Sequence, residues 1–371
     1  GNGYLEQGFE KKIAYFDVFF RNVPDGGGFA IAAGLEQVVE YIQQLHFNDD
    51  DIEFLREKHI FDEDFLTYLR NFHFSGDIYA IPEGTVVFPR EPLVKVIAPI
   101  MEAQLVETAI LNIINHQSLI ATKCARVVYA AKGDGIMEFG LRRAQGPDAG
   151  IYGARAAMIG GCIGTSNVLT GQLFDVPVKG THAHSWIMSF PDEYTAFKKY
   201  SELYPDACIL LVDTYDTLKS GVPNAIRVFT EMREAGIPLT FYGIRLDSGD
   251  LAYMSKKARK MLDEAGFPDA VISASSDLDE YLINSLKDQG AAITSWGVGT
   301  NMITSSDNPA FGGVYKLAAV QDENGEFIPK IKLSENSEKI TNPGNKTVFR
   351  LYDNETGKIR ADLIALADES Y

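Results

Sequence analysis

The chain has 371 residues, of which 46% are hydrophobic, so it is long enough to bury a substantial core and to form two domains. Its formal net charge is −17 and it has no long run of lysine and arginine, which argues against nucleic acid or an anionic membrane as a partner. The three cysteines, Cys124, Cys162 and Cys208, are scattered, which predicts free thiols in a reducing compartment. No apolar run reaches membrane-spanning length, and we expect a soluble, cytoplasmic protein.

The first hundred residues mix apolar runs of strand length with segments of helical spacing. The predicted elements are strands at residues 13–20, 72–81 and 84–97 and helices at residues 33–45, 50–70 and 102–130. His116 lies on the last of these helices, and we expect it to be a packed or partner-facing side chain. This part of the chain therefore predicts an α+β domain.

From residue 136 onward, short apolar runs alternate with stretches of helical spacing. The predicted strands are residues 136–140, 176–181, 209–213, 239–247, 271–276 and 293–299. Strands that alternate with helices imply a parallel sheet. Polar residues and glycines gather where these strands end, which predicts a barrel with its active site on that face.

The alternation stops past Gly313, where the sequence predicts strands joined by hairpin loops. These tail strands are residues 315–320, 327–333, 347–352 and 359–366. We expect the tail to return to the first domain. The predicted fold class is α/β: an irregular, TIM-like α/β barrel over residues 106–313, with a second α+β domain built from residues 1–105 and 314–371.

The segment after the apolar run 239–242 has the strongest functional pattern. Arg245 projects from the strand end as a permanent cation able to bind a carboxylate through two hydrogen bonds, although a structural salt bridge is an open alternative. Asp247, Ser248 and Gly249 follow at the junction with the next helix, whose free N–H groups favour anions. The same arrangement recurs at other strand ends, which favours ligand binding.

Two further strand ends carry cations or histidines. Glu138 precedes Arg142 and Arg143, and adjacent arginines suit a phosphate or pyrophosphate. His182 and His184 follow the next predicted strand, where a metal pair is possible, but no third histidine or cysteine follows at a typical ligand spacing. We expect one of these histidines to do chemistry and the other to pack.

The remaining strand ends offer carboxylates and a glycine turn. Asp213 and Asp216 follow one strand, where a carboxylate could orient a histidine or cap a helix. Gly297, Gly299 and Thr300 lie at the end of the last strand, and glycines let backbone N–H groups approach phosphate oxygens closely. A GxG pattern alone is weak, and its position after a late barrel strand strengthens it.

Together these motifs resemble, in order and spacing, those of the nicotinate phosphoribosyltransferase family. They lie at residues 138–143, 180–185, 212–217, 244–251 and 296–301, so the resemblance covers nearly the whole chain. It implies the type II phosphoribosyltransferase architecture and the transfer of phosphoribose from phosphoribosyl pyrophosphate to nicotinate in NAD salvage. It also implies ATP as a co-substrate, coupled through a transiently phosphorylated histidine. We expect Mg²⁺ as the cofactor, because the leaving pyrophosphate gathers negative charge.

The resemblance implies roles at matching positions. His184 matches the phosphorylated histidine of the Gly-Thr-x-x-His pattern, and Asp213 resembles the acid that orients it, whereas His182 falls at a variable position. Thr181 and Arg245 match nicotinate-binding positions. The other predicted substrate-binding residues are Glu138, Arg142, Arg143, Asp247, Ser248, Gly249, Gly297, Gly299 and Thr300, and no metal ligands are assigned.

The resemblance also bears on assembly and length. We expect a head-to-tail homodimer with shared sites, in which the first domain lends an aromatic lid to a neighbouring barrel. The family carries a tyrosine over nicotinate just upstream of Gly1 and a longer C-terminal extension, so we expect this chain to be a trimmed form.

Three alternatives stay open. Nicotinamide phosphoribosyltransferase shares the architecture but uses a neutral amide. Quinolinate phosphoribosyltransferase needs more cations, because its substrate has a second carboxylate. A non-catalytic phosphosugar-binding barrel could keep residues 297–300 without needing His184.

Overall fold

The computed structural model describes residues 1–336 and 339–369 and divides the chain into two compact units. Unit 1 comprises residues 1–119 together with the chain from Ala310 onward, and unit 2 comprises Ile120–Pro309. The predicted domain boundaries at 105/106 and 313/314 stay a prediction. None of the helices in the described ranges combines the length and hydropathy that crossing a bilayer requires.

Fifteen strands and fourteen α-helices lie within residues 1–336 and 339–369. The strands are β1 (Ile13–Phe20), β2 (Ala30–Ile31), β3 (Asp77–Ala80), β4 (Val86–Val87), β5 (Val94–Pro99), β6 (Gly135–Glu138), β7 (Gly164–Thr165), β8 (Cys208–Leu211), β9 (Tyr242–Leu246), β10 (Val271–Ala274), β11 (Ser295–Val298), β12 (Gly313–Gln321), β13 (Phe327–Pro329), β14 (Lys346–Tyr352) and β15 (Ile359–Leu366). The helices are α1 (Asn2–Glu6), α2 (Leu35–Gln44), α3 (Asp49–Glu57), α4 (Glu63–Arg70), α5 (Ile100–Leu105), α6 (Glu107–Ala130), α7 (Pro147–Ile159), α8 (Val168–Phe174), α9 (His184–Met188), α10 (Glu193–Leu203), α11 (Val222–Glu234), α12 (Leu251–Glu264), α13 (Glu280–Asp288) and α14 (Thr300–Ile303).

Unit 1 is built on an antiparallel sheet in which β1 is the central strand of the order β13-β12-β1-β5-β3. Seven of the eight residues of β1 are buried, and the strand is apolar except for Asp17, whose carboxylate forms an ion pair with Lys346 at 2.7 Å. Phe16 lies opposite Leu317 on one side and Val96 on the other, and its ring stacks on Tyr315 at 4.7 Å. β14 and β15 form a separate hairpin. The predicted return of the tail to the first unit is therefore confirmed.

Several elements of unit 1 are shorter than their patterns predict. The single helix predicted at 50–70 is two helices, because His59 adopts a left-handed φ of 52° and Asp62 then caps α4 by accepting the Phe65 N–H at 2.9 Å. The predicted strand 84–97 divides into β4 and β5, with Arg90 at a φ of 73° between them. The strand predicted at 327–333 extends only over β13. Left-handed backbone at a non-glycine residue depends on tertiary contacts, so local patterns do not show it.

Unit 2 contains a curled, six-stranded, parallel sheet in the order β7-β6-β11-β10-β9-β8, with helices between its strands. The predicted parallel α/β organisation is thus confirmed. The strand predicted at 176–181 is wrong, since only Val178 makes a single parallel bridge, to Thr165 of the unpredicted β7. Pro177 has no N–H to donate to a ladder, which limits the pairing there.

The strand ends of unit 2 meet at one edge because the parallel strands are in register. Leu211 lies opposite Arg245, so Asp213 and Asp247, two residues further on, reach the same level. The next strands continue this alignment, through Leu246 opposite Ala274 and Val298 opposite Glu138. Apolar side chains that include Leu210, Ile244 and Trp296 are fully buried between the sheet and its helices. The core thereby fixes which polar residues come together at the carboxyl edge.

The three cysteines are free and buried, as predicted. Cys124 and Cys162 lie side by side, with their Sγ atoms 3.2 Å apart.

Candidate active site

A cavity of about 600 Å³ opens at the carboxyl edge of the unit 2 sheet. Eight of its lining residues were predicted site residues: Arg142, Arg143, Thr181, Arg245, Asp247, Gly297, Gly299 and Thr300. Sequence reasoning did not assign the others to the site: Phe139, Leu141, Ser166, His182, Ala183, Ser275, Ser276 and Asp277. Most of the predicted strand ends therefore surround one space.

Arg245 supplies a half-buried cation to this cavity. Gly243, two residues earlier, lets β9 lie close against β10, because a Cβ there would stand 2.0 Å from the Val271 carbonyl oxygen. One terminal nitrogen of Arg245 donates a hydrogen bond to Thr181 Oγ1, whereas its buried Nε has no hydrogen-bond partner within residues 1–336 and 339–369. Burial lowers the pKa of the guanidinium, against the effect of the nearby Asp247. An unfilled, desolvated donor of this kind suits an anionic ligand.

Arg142 and Arg143 lie on a 3₁₀ turn, Leu141–Arg143, that follows β6 directly. Both side chains are exposed at the cavity rim. On the other side of β6, one glycine lies within β11 and a second follows its last residue, Val298. A Cβ at Gly297 would lie 2.7 Å from the Phe139 ring, and one at Gly299 would lie 3.1 Å from the Phe139 carbonyl oxygen. Glycine therefore lets this backbone pack closely against Phe139, and both glycines line the cavity.

Asp247 is held by the neighbouring strand end. Its Oδ1 accepts a hydrogen bond from Ser275 Oγ. Ser276 and Asp277 follow with φ values of 108° and 33°, a left-handed conformation that is rare for residues other than glycine. Such backbone strain concentrates at functional sites. Their position at the end of the predicted strand 271–276 was the signal that could have identified these residues.

His184 begins α9 and is 40% exposed at its side chain. Its Nδ1 lies 3.0 Å from Thr214 Oγ1, and its Nε2 lies 3.9 Å from Asp213 Oδ1 and 3.7 Å from Asp247 Oδ2. Thr214 is thus the residue within hydrogen-bond distance of the ring, at Nδ1, whereas Asp213 lies near Nε2 without a hydrogen bond to it, and its role in orienting His184 stays a prediction. His184 lies beside the cavity, and Asp247 both lines the cavity and contacts His184.

Asp213 organises the loop after β9. Its Oδ2 accepts hydrogen bonds from the Asp247 N–H at 2.8 Å and from Ser248 Oγ at 2.7 Å. Its Oδ1 is buried without a hydrogen-bond partner among the described residues and faces His184. Ser248 and Gly249 are exposed and lie outside the cavity lining, so they shape the loop.

Asp216 has the other role that the sequence allowed. Its side chain accepts the Lys219 N–H at 2.9 Å and caps the π-helical turn Thr217–Gly221.

His182 is packed, with 8% of its surface exposed. Its Nε2 accepts a hydrogen bond from the Leu211 N–H at 3.2 Å, and its ring centroid lies 4.4 Å from that of Tyr200. Burial and the charge of Arg245 lower the pKa of His182 to about 4.

Over the described parts of the chain, no three His, Cys, Asp or Glu side chains are grouped to hold a metal ion.

Glu138 does not contact the cavity, contrary to its predicted role. It is fully buried, and its carboxylate accepts hydrogen bonds from the Gly140 N–H and, at 2.6 Å, from Thr165 Oγ1. Burial raises the pKa of this carboxyl group. Glu138 therefore fixes the end of β6 against β7 and cannot reach a ligand in the cavity.

The site has a buried arginine donor without a hydrogen-bond partner among the described residues, cations at its rim and a glycine turn. These groups lie at the carboxyl edge of a parallel sheet, where α/β proteins of the class that binds anionic ligands have their sites. Comparison with known proteins narrows this class. A family described as the nicotinate phosphoribosyltransferase N-terminal domain matches residues 1–115, and the nicotinate phosphoribosyltransferase family matches residues 135–353.

Individual relatives agree with these matches. The chain is 53% identical to the nicotinate phosphoribosyltransferase of Bacillus subtilis over 366 residues, covering 99% of this chain and 74% of the relative. It is 34% identical to the human nicotinate phosphoribosyltransferase, covering 99% of this chain and 77% of the relative. The crystal structure of human nicotinic acid phosphoribosyltransferase superposes with a TM-score of 0.83 at 32% identity, covering 100% of this chain and 80% of that one. The chain belongs to the nicotinate phosphoribosyltransferase family, and the predicted resemblance is confirmed.

Proposed function

We propose that this chain joins nicotinate to phosphoribosyl pyrophosphate, giving nicotinate mononucleotide and pyrophosphate, with coupled hydrolysis of ATP to ADP and phosphate. Its family membership and the names of its relatives support this activity. The observation that carries it is Arg245, whose buried Nε has no hydrogen-bond partner among the described residues although its guanidinium lines the cavity.

Arg245 and Thr181 form the nicotinate subsite in this proposal. A guanidinium pairs with a carboxylate through two hydrogen bonds, so it favours nicotinate over nicotinamide, whose amide is neutral. Quinolinate has a second carboxylate and needs a second cation. The other arginines in the cavity lining, Arg142 and Arg143, lie at the rim, where they suit pyrophosphate. The charge distribution thus favours a pyridine that carries one carboxylate.

The phosphoribosyl half of the reaction uses the rim and the glycine turn. Breaking the C1–O bond builds positive charge on the ribose and negative charge on the leaving pyrophosphate. Arg142 and Arg143 stabilise that leaving group, and the backbone from Gly297 to Thr300 binds the sugar phosphate. The pyridine nitrogen is itself the nucleophile, so the protein mainly positions it against C1.

A magnesium ion fits this cavity as a companion of the substrate phosphates. Mg²⁺ usually takes one or two protein carboxylates and fills its other positions with phosphate oxygens and water. Asp247 and Asp277 line the cavity and are the residues that would hold it. When bound, the ion neutralises charge that develops on the pyrophosphate.

His184 is the residue that takes phosphate from ATP in this proposal. Asp213 Oδ1 and Asp247 Oδ2 both lie within 4 Å of its Nε2, and two carboxylates there favour a hydrogen on that nitrogen. The lone pair is then on Nδ1, beside the Thr214 hydroxyl. Nδ1 attacks the γ-phosphorus as the bond to the ADP oxygen breaks, and water later releases phosphate. The two carboxylates stabilise the charge on the ring during the transfer.

Three finer features complete the proposal. The curled sheet of unit 2 forms part of an irregular, TIM-like barrel, which the half-barrel order of its six strands supports. The enzyme acts as a head-to-tail homodimer with shared sites. Exposed apolar side chains such as Val168 and Leu173 on α8 are consistent with a protein partner. The cytoplasm is the expected compartment, since the three cysteines are free thiols.

One experiment tests the reaction and its alternatives. Turnover of phosphoribosyl pyrophosphate is measured with nicotinate, nicotinamide and quinolinate, each with and without ATP. We expect nicotinate mononucleotide as the main product and a higher rate with ATP. Preference for either other pyridine would replace the substrate assignment. Binding of phosphoribosyl pyrophosphate without turnover of any pyridine would favour the non-catalytic phosphosugar-binding alternative.

A further inference from the structure

Among the described residues, no strand pairs with the outer edge of β8. β8 ends the order of the sheet, and β9 is its partner in the described structure. Val212 donates its N–H across to the Arg245 carbonyl, so the Leu211 N–H points to the opposite, open side. The segment that precedes His182 does not form a strand in the described structure, and its one β-bridge joins Val178 to Thr165 of β7. A buried backbone N–H at such an edge needs an acceptor.

His182 provides that acceptor. The Leu211 N–H can only donate, so Nε2 of His182 accepts the 3.2 Å hydrogen bond, and the hydrogen of the neutral ring is on Nδ1. The ring is fixed from the helix side, with Tyr200 at 4.4 Å and Phe197 at 6.3 Å between centroids. A side chain thus occupies the position of a ladder hydrogen bond.

Contacts to the proposed substrate and ATP sites flank His182 on both sides. One residue earlier, Thr181 accepts a hydrogen bond from Arg245. Two residues later, His184 contacts Thr214 at 3.0 Å and Asp213 at 3.9 Å. Asp213 and Thr214 follow Leu211 by two and three residues, and His184 follows His182 by two. The hydrogen bond between His182 and Leu211 therefore sets the alignment of these two segments.

We propose that His182 is a positioning residue, which holds residues 181–184 in register with the end of β8 through its hydrogen bond to Leu211. His182 lines the cavity, but its Nε2 is engaged by the Leu211 N–H. It acts through Thr181 and His184, and this inference rests on the proposed function of those two residues. A shift of about 1 Å at a reacting group can cost on the order of 100-fold in rate, so loss of the bond should affect turnover more than folding.

Two substitutions separate hydrogen bonding from packing. His182→Phe keeps a ring against Tyr200 but removes the acceptor, and His182→Gln supplies an amide oxygen as acceptor. We expect His182→Phe to lower kcat/KM for nicotinate by roughly 10- to 100-fold and to slow phosphate labelling from ATP. We expect His182→Gln to recover most of both. His116→Phe, at a half-buried histidine of unit 1, is the matched control and should behave like the parent.

Nitrogen NMR of the ¹⁵N-histidine-labelled parent gives a readout that does not depend on turnover or on the stability of a variant. His182 should show a protonated Nδ1 and an unprotonated, hydrogen-bonded Nε2. A protonated Nε2 would overturn the inference, as would parent-like kcat/KM in a folded His182→Phe variant or equal loss in the Phe and Gln variants. A parent that does not turn over nicotinate refutes the proposed function instead, and the NMR spectrum still decides the hydrogen bond.

Discussion

At the scale of single residues, the site depends on groups whose hydrogen-bonding capacity the described protein leaves unfilled. Arg245 has a buried Nε without a hydrogen-bond partner there, and Asp213 has a buried Oδ1 in the same state. Leaving such groups unpaired costs free energy in the free protein. A ligand carboxylate that pairs with Arg245 gains that free energy on binding, and Asp213 Oδ1 faces Nε2 of His184 at 3.9 Å, so Arg245 and His184 are the informative positions to change.

Arg245→Ala should remove recognition of the carboxylate. The substrate would lose a desolvated ionic partner, at a cost on the order of 2–5 kcal/mol, or roughly 30- to several-thousand-fold in kcat/KM. Steady-state kinetics with nicotinate and nicotinamide measure this, and the ratio between the two should collapse. Arg233→Ala, at an exposed arginine on α11, should leave both values unchanged. Unaltered kinetics with nicotinate in Arg245→Ala would contradict the subsite.

His184→Asn should abolish phosphate transfer from ATP. The parent, incubated with γ-labelled ATP, should acquire phosphate that is stable in alkali and lost in acid, as a phosphoramidate is. The variant should lose this label and the stimulation by ATP, and it should keep a slow, ATP-independent transfer because Arg245 remains. His46→Asn, at an exposed histidine, is the control. Label that persists in His184→Asn would place the phosphate elsewhere.

At the scale of elements, the spacing between β9 and β10 sets the position of Arg245. A Cβ at Gly243 would meet the Val271 backbone at 2.0 Å, so the two strands can approach as they do only with glycine at this position. Gly312 differs, since no described residue other than its two chain neighbours has an atom within 4 Å of the position that its Cβ would take.

Gly243→Ala should therefore destabilise unit 2, by about 3 kcal/mol or more, because backbone atoms cannot move aside as a flexible side chain does. Denaturant unfolding measures this change. Gly312→Ala should stay within about 0.5 kcal/mol of the parent. An equal effect of the two substitutions would show that the strand spacing tolerates a Cβ.

The elements also show what the sequence could and could not predict. The ends of β8, β9 and β11 were predictable because buried parallel strands read as apolar runs, and Arg245 and Asp247 follow from them. The strand expected at 176–181 did not form, since pairing depends on a partner that is distant in sequence. Glu138 was assigned to the site because it lies at a strand end, but its side chain points into the interior, toward Thr165.

Contacts between distant segments account for the rest. Nothing in the pattern around Thr214 identifies it as the partner of His184, which is thirty residues earlier. The hydrogen bond from Leu211 to His182 is equally invisible, because it depends on an open sheet edge. Local sequence therefore predicted which residues reach the site more successfully than it predicted which atoms meet there.

At the scale of the whole molecule, each unit contains a buried group with a shifted pKa, and the two pKa shifts have opposite directions. In unit 1, burial and a hydrogen bond with Asp362 raise the pKa of Glu91 to about 7. In unit 2, burial and the charge of Arg245 lower the pKa of His182 to about 4, with the neighbouring His184 acting in the same direction.

The consequences for stability differ in sign. The contribution of Glu91 is fully present below about pH 4.5 and is lost as the pH rises through about 7, because the folded state holds the proton more tightly. The contribution of His182 is present above about pH 6.5 and is lost as the pH falls toward 4, by up to roughly 3 kcal/mol.

Acidification from pH 7 to pH 4.5 should therefore weaken unit 2 relative to unit 1. Amide hydrogen exchange, corrected for intrinsic rates, should show protection falling in β9 and β10 and rising in β1 and β5. His182→Gln should remove the first trend and Glu91→Gln the second, since neither amide titrates. Parallel changes of protection in both units would contradict these assignments.

The sheet of unit 1 also has a consequence during synthesis on the ribosome. β1 pairs with β5 and with β12, and all of unit 2 is translated between those two partners. One edge of a strongly apolar strand therefore stays without its partner until β12 has left the exit tunnel, and such an edge is a site of intermolecular pairing. Unit 2 is continuous in sequence and can fold during that delay. A chaperone that shields nascent apolar segments would accordingly find β1 incompletely paired for most of the time that translation takes.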